Sequence, residues 1–275
     1  MVILESIHSQ MHSIILTVHN KDFLIESVLN GIYENTEGMY ELIVVLDGCS
    51  DQSESLVLKN ANKDTRILYA DDVFETKANN IGLKKAEGNH VIIVQDDMVI
   101  KEKGWNQRME KPFVFKDVFA VTARTAHDWR VNYNSHHINL KEDLDDSWCD
   151  ILIHTNHADR SNTSRDIFAV RSSVNRGPLM IDNEILEKLN YLDEIYSPQE
   201  LDDHDLAYRA FKKFGKVCGC YWIDYQSDYE WGGTRKDGGV SPWLYKANHK
   251  NMKILYNRHM DLILKENHNQ DRNLS

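Results

Sequence analysis

Two adjacent carboxylates, Asp96 and Asp97, end the apolar run VIIVQDDM at residues 91–98. Asp is a poor strand residue, and two together have no place in a buried core, so both must sit where the chain leaves a sheet. In an open α/β sheet the carboxyl ends of strands are where ligands bind, and carboxylates placed there can hold a divalent cation. A plain acidic turn would read the same way, so the pair gains meaning from its company. The run SIILTV stops at His19 and Asn20, and ELIVVL stops at Asp47, with Gly48 free to make a tight turn. The segment LDDHDLAYRAFKKFG, residues 201–215, opens with Asp202, Asp203 and Asp205 and closes on a glycine. One Asp is enough to cap a helix, and three exceed what capping requires.

Periodicity predicts the elements that hold these groups. After the first polar turn Leu24, Val28 and Ile32 recur four apart, so a strand passes into a helix. Ser50 or Asp51 is placed to cap the helix that follows Asp47. Within residues 201–215, Leu206, Ala207, Ala210, Phe211 and Phe214 form one apolar helix face, and Gly215 is a natural stop. If the strands are parallel, Asn20, Asp47 and Asp97 face one cleft. Asp205 and Arg209, four apart, read as a local ion pair on their helix.

Taken together, these segments resemble the family 2 glycosyltransferases, which have the GT-A fold. SIILTVHNKDFL is similar to the family's N-terminal strand and turn. VVLDGCSDQS is similar to its VDDGSxD nucleotide motif, with Asp47 on the second Asp and Leu46 in place of the first. ETKANNIGLKKAEGNHVIIVQDDM resembles the stretch leading into the DxD strand, with Ala78, Asn80, Gly82, Ala86 and Gly88 on its marked positions. NRGPLMIDNEILEKLNYLDEIYS resembles the stretch before the catalytic base. In the last motif, G-E-D-x-D-L-x-x-R-x-x-x-x-G, Asp202 stands for the Glu, and Asp203, Asp205, Leu206, Arg209 and Gly215 match. The resemblance runs over about residues 13–233, with five motifs in the family's order.

The resemblance implies an α/β fold with a single Rossmann-like domain over residues 1–240, its mostly parallel central sheet flanked by helices. Residues 1–100 would be the nucleotide-binding half, 101–240 the acceptor half, and 241–275 a C-terminal helical extension. The implied activity is inverting transfer of a sugar from a UDP-, GDP- or dTDP-linked donor to a hydroxyl of a glycan or lipid-linked acceptor, in glycan or polysaccharide biosynthesis. Asp203 is the implied general base, with Asp202 its competitor if the alignment slips by one. Asp97 would bind Mn²⁺ or Mg²⁺, and His19, Asn20, Asp47, Lys77, Asn80 and Asp96 would surround the nucleotide. The sequence departs from the pattern in two places. Gln95 occupies the first DxD position, and YEWGGT puts Glu230 near the place where many relatives carry a His, making Glu230 the expected second metal ligand. These departures support a rival reading, a nucleotide-sugar or carbohydrate binding module of the same fold without catalysis.

Composition narrows the classes further. A length of 275 residues with 41% hydrophobic content supports a sizeable core, and a formal charge of −11 argues against a nucleic-acid partner. No apolar run approaches a membrane span and no leader pattern opens the chain, so the expected location is the cytoplasm. Cysteines at 49, 149, 218 and 220 show no zinc or disulfide spacing and read as free thiols. Residues 124–165, dense in His, Asn, Asp and Trp, read as an irregular insertion; the family resemblance implies that it faces the acceptor, where Trp129 and Trp148 would suit stacking on sugar rings. His154 and His157 lack a Cys or Glu at metal-site spacing and read as surface or acceptor-site residues. Residues 243–266 form a basic amphipathic pattern that suits packing on the domain or on a second subunit of a homo-oligomer. The same pattern suits peripheral contact with an anionic membrane. The tail NHNQDRNLS reads as frayed.

Overall fold

The computed structural model describes residues 11–134, 151–232, 242–265 and 270–275. Strands β1 (His12–Val18), β2 (Tyr40–Asp47), β3 (Arg66–Ala70) and β4 (His90–Gln95) alternate with helices α1 (Ile25–Asn35), α2 (Ser53–Asn60) and α3 (Glu75–Leu83). Next come β5 (Val99–Ile100), α4 (Trp105–Glu110), β6 (Val118–Thr122), β7 (Ala126–Val131) and β8 (Leu152–Ala158). They are followed by β9 (Ile167–Arg171), β10 (Ser173–Val174), β11 (Leu179–Asp182), α5 (Asn183–Lys188) and α6 (Asp202–Phe214). The chain closes with β12 (Val217–Cys220), β13 (Tyr225–Gln226), α7 (Pro242–Ile263) and β14 (Arg272–Asn273).

Nine strands form the central sheet in the order β14-β9-β12-β6-β11-β4-β1-β2-β3. The β4-β1-β2-β3 half is parallel, whereas β11 runs antiparallel to both β4 and β6. Both faces of the parallel half are covered, which is why its strands read as continuous apolar runs rather than alternating ones. Ile15, Ile43, Val91 and Ile93 pack towards Leu83, Leu206 and Ala210, while Ile14, Leu16, Val44, Ile92 and Val94 pack towards Val28, Leu29 and Ile32. Register brings Thr17 level with Val45 on one side and Gln95 on the other, so the polar groups past three strand ends lie at one edge.

The turns obey local chemistry. Gly48 has φ +61°, and a Cβ there would come within 2.9 Å of the Asp72 main-chain nitrogen. The N-cap of α2 is Gln52 rather than Ser50 or Asp51, though the Asp51 carboxylate, one residue earlier, accepts the Ser53 N–H at 2.9 Å. Gly215 ends α6 in the left-handed region at φ +65°. Asp205 and Arg209 pair at 2.5 Å as their spacing predicts.

Two sequence expectations change, and a third, the packing of residues 243–266, holds. Within 124–165 the described parts are not irregular: β7 and β8 pair antiparallel and form a three-stranded sheet with β10. The tail is not frayed at its end, because β14 pairs with β9 and Arg272 grips Asp117 through two 2.6 Å hydrogen bonds. Helix α7 lies on the protein, burying Leu244, Leu255 and Ile263 while Asn251 donates to the carbonyls of Tyr196 and Gln199 at 2.7 and 2.9 Å. Among the described residues no helix is long and apolar enough to cross a membrane.

His90 opens β4 at 6% exposure, with its ring 4.2 Å from that of Phe113. Burial pushes its pKa down to about 4, more strongly than Glu110 pulls it up. The unfolded chain therefore binds a proton that the folded chain refuses, so stability present above pH 6.5 is lost as pH falls towards 4. A shift of this size corresponds to at most about 3 kcal/mol. Denaturant melts at pH 7 and pH 4.5 should show His90→Phe losing less stability over this interval than the wild type.

Candidate active site

The ends of β1, β2 and β4 enclose a cleft of about 130 Å³, walled by His19, Lys21, Asp47, Glu75, Gln95, Asp96 and Asp97. His19 ties the three strand ends together: its main-chain N–H donates to Asp96 Oδ2 at 2.9 Å, and its Nδ1 lies 2.5 Å from the Asp47 carbonyl. Asn20, at φ +50°, accepts the N–H groups of Ser50 and Asp51 at 2.7 and 3.3 Å, clipping the β1 turn to the β2 turn. The Asp47 carboxylate, 2% exposed, accepts the N–H groups of Val73 and Phe74 at 2.7 and 2.9 Å. Asp47 thus fixes the loop that leads into α3.

Asp96 and Asp97 sit where burial resists their charge. Removal from water pushes Asp96 up to about 6, although Lys21 stands 3.7 Å away and pulls the other way. Asp97 is raised for the same reason, against the pull of Lys21 and Arg124. Lys21 is itself 1% exposed and donates to the Trp231 carbonyl at 2.6 Å. Asp97 Oδ1 is buried without a hydrogen-bond partner among the described residues. An orphaned carboxylate oxygen beside a second carboxylate fits a hard divalent cation. Among the described residues no third His, Cys, Asp or Glu brings a ligand atom to them, so the coordination shell would be completed by phosphate oxygens and water.

His12, His90 and Glu110, at the opposite end of β1 and β4, also bring ligand atoms within 4.8 Å of one another. Their hydrogen bonds oppose a metal. Asn106 is held by the main-chain N and O of Glu37 at 3.1 and 2.7 Å, which aims its Nδ2 at His12 Nδ1, 2.9 Å away. His12 then carries its proton on Nε2, facing Glu110 at 3.3 Å, and has no lone pair to offer there.

A second cavity, of about 410 Å³, opens beside the cleft and is lined by Asp203, His204, Arg124, His127, His154 and His157 among others. Glu75 and Gln95 belong to the walls of both. Leu201, at φ +69°, turns the chain into α6 and presents the carboxylates of its first turn. The buried Arg176 guanidinium takes both oxygens of Asp202, one of them at 3.0 Å, and lies 3.5 Å from Glu75. Burial alone would lower the Arg176 pKa, but Asp202, Glu75 and Asp203 outweigh it and keep the cation. Asp203 is engaged differently: Oδ2 accepts the Arg176 main-chain N–H at 2.8 Å and Oδ1 accepts the His204 main-chain N–H at 2.9 Å. Asp203 lines the cavity, and Asp202 lines neither space.

The family model described as glycosyl transferase family 2 matches residues 13–172, more than half of the chain. The chain belongs to glycosyl transferase family 2. An uncharacterized glycosyltransferase of Rickettsia bellii (strain RML369-C) is 35% identical over 91 residues, 31% of this chain and 12% of the relative. This chain therefore spans a small part of that relative's length. Among solved structures, the mannosyltransferase PcManGT of Pyrobaculum calidifontis, in complex with GDP-Man and Mn²⁺, superposes with TM-score 0.59 at 16% identity. The match covers 95% of this chain and 66% of that one. S. aureus TarS 1–349 in complex with UDP-GlcNAc gives TM-score 0.55 at 17% identity, covering 92% and 73%. At such identities the likeness is one of fold, and the fold is GT-A.

Against the pattern of glycosyl transferase family 2, the structure brings His19, Asp47, Asp96 and Asp97 into one cleft and Asp203 beside it. Other expected residues lie elsewhere. Lys77 is exposed on α3 and lines neither space. Asn80 is 2% exposed and spends its amide on the main chain of Leu192 and on Glu194, at 2.9–3.1 Å, bracing α3. Glu230 is exposed on the short 3-10 turn Tyr229–Trp231 and joins no ligand cluster. Trp129 is 3% exposed and packs with Leu152, Tyr196 and Leu255, so its ring offers no open face for a sugar. Trp148 lies outside the described residues. His154 and His157 do line the second cavity, where His127 joins them; their rings lie 3.8–5.6 Å apart between centroids but bring no three ligand atoms together.

Sequence reasoning missed Lys21, Glu75, Arg176 and His204. Lys21, Glu75 and Arg176 all lie inside matched segments, which was a usable signal, but the role of Arg176 depends on meeting an aspartate 26 residues away in sequence. Replacing Arg176 by Met should cost about 3–5 kcal/mol, because the Asp202 carboxylate is left buried without its cation. Pairing it with Asp202→Leu should recover part of the loss in urea melts.

Proposed function

We propose that this chain transfers a sugar from a nucleotide diphosphate donor to an acceptor hydroxyl with inversion, using Asp203 as general base. One observation carries the reading: the cleft holding Asp96 and Asp97 and the cavity holding Asp203 share Glu75 and Gln95 as a common wall. A diphosphate bound in the first would present its sugar to a hydroxyl bound in the second. GDP-Man and Mn²⁺ in the PcManGT structure, and UDP-GlcNAc in the TarS structure, support a nucleotide-sugar donor and a divalent cation.

In this reading Asp97 and Asp96 would hold Mn²⁺ or Mg²⁺, which would supply positive charge against the negative charge of the departing diphosphate. His19 and Asp47 shape the nucleotide end of the cleft. With both Asp47 oxygens already accepting main-chain N–H groups, its contact to a base would use the lone pairs that remain. Asp203 accepts the proton of the acceptor hydroxyl as that oxygen bonds to the anomeric carbon and the bond to diphosphate breaks. Asp202 is unsuited to this task because Arg176 already occupies both of its oxygens.

A thermal-shift screen of UDP-, GDP- and dTDP-sugars, with Mn²⁺ and with EDTA, identifies the donor. A ligand at 100 times its Kd should stabilise by about 2.7 kcal/mol. Asp97→Asn should abolish the metal-dependent part of that shift. With the donor known, Asp203→Asn should leave its binding unchanged and lower turnover by about 10²- to 10⁴-fold. Full turnover in Asp203→Asn would overturn the assignment of the base, and donor binding without any turnover in the wild type would favour the binding-module reading.

A further inference from the structure

Trp129 of β7 donates its indole N–H to His204 Nδ1 at 3.0 Å, and both side chains are buried, at 3% and 2% exposure. An indole nitrogen is a donor only, so the His204 Nδ1 it meets must be a bare lone pair. Burial pushes the His204 pKa down, against the pull of Asp203, and keeps the ring neutral, so its single proton sits on Nε2. That nitrogen lies 3.5 Å from Asp203 Oδ1 and 3.3 Å from the Asn175 side-chain amide, which must then turn its oxygen towards it. Asp203 already accepts one main-chain N–H on each oxygen. The imidazole N–H is a third donor beside the same carboxylate, within reach of a hydrogen bond after a shift of a few tenths of an ångström.

We propose that His204 is a positioning residue for Asp203, locked by Trp129 in the one neutral tautomer that turns an N–H rather than a lone pair towards the carboxylate. The opposite tautomer would set a lone pair against Oδ1 and push the carboxylate from its place at the cavity wall. The proposal rests on the reading of Asp203 as the base. It also accounts for Trp129, whose polar atom faces α6 although its ring is core.

The test begins with the ¹⁵N-labelled full chain and needs no substrate. Long-range ¹H–¹⁵N spectra report which ring nitrogen of His204 bears hydrogen. The expected spectrum shows the Nε2–H tautomer in the wild type, a shifted Nε2–H signal in Asp203→Asn, and an added Nδ1–H population in Trp129→Phe. In hydrolysis of UDP-N-acetylglucosamine with Mn²⁺, His204→Leu should lower kcat by about 10- to 10²-fold at unchanged KM. His204→Gln can place an amide N–H near the former Nε2–H and should recover most of that loss. An Nδ1–H tautomer in the wild type, or an Nε2–H signal indifferent to Asp203→Asn, would overturn the proposal even if Trp129→Phe fails to fold. Parallel loss of kcat and donor affinity in His204→Leu, with no recovery by Gln, would mark a structural role instead. Full turnover in Asp203→Asn would sink the base reading separately, leaving the spectroscopic result intact.

Discussion

The buried guanidinium of Arg176 is the constraint on which the second cavity depends. It takes Asp202 into the interior, touches Glu75 of α3, and through its own main-chain N–H holds Asp203 at the cavity wall. Two neighbouring aspartates of like chemistry are thereby given unlike situations: Asp202 has both oxygens taken by the guanidinium, whereas Asp203 stands 3.6 Å from it and lines the cavity. A guanidinium suits this work because its fork matches a carboxylate and its charge cannot be discharged by burial. The ion pair is weak evidence for net stability, since desolvating two charges offsets most of their attraction. Its value lies in orientation: it joins the parallel half of the sheet, through α3, to the mixed half, through α6.

Strand register does the equivalent task for the first cleft. With β1, β2 and β4 parallel and Thr17 level with Val45 and Gln95, three polar turns emerge at one edge and need only local hydrogen bonds to meet. His19 and Asn20 make those bonds, His19 reaching the ends of both β4 and β2 and Asn20 clipping the turn after β2. The carboxylates at the end of β4 are then held in a setting that disfavours their charge, so that a cation bound there would favour their deprotonation.

Much of this was legible in the sequence because it rests on local rules. Apolar runs closed by polar turns gave β1, β2 and β4, the glycines at 48 and 215 marked real left-handed turns, and the order of motifs assembled the cleft. The failures share a cause. Lys77 and Asn80 were placed by motif position, but which face of α3 turns to the sheet decides their fate, and the face that carries Asn80 packs on Leu192. Trp129 was taken for a sugar platform because aromatic residues among polar ones look exposed, whereas β8 and α7 cover it. The motif puts Asp203 ahead of Asp202 by alignment alone, because the partner that sets their situations apart, Arg176, arrives from a distant loop.

The nine-stranded sheet ends in two different ways. At one edge the two residues of β14 cover β9, anchored by the paired hydrogen bonds from Arg272 to Asp117. An edge closed by so short a strand offers almost no backbone ladder for another chain to extend. At the other edge β3 has no neighbour beyond it among the described residues, and it leads with Arg66, paired to Glu41, and exposes Tyr69. A second chain adding itself to this sheet along the backbone would meet the β3 side, where a charged side chain is the guard, rather than the short-capped side beyond β9.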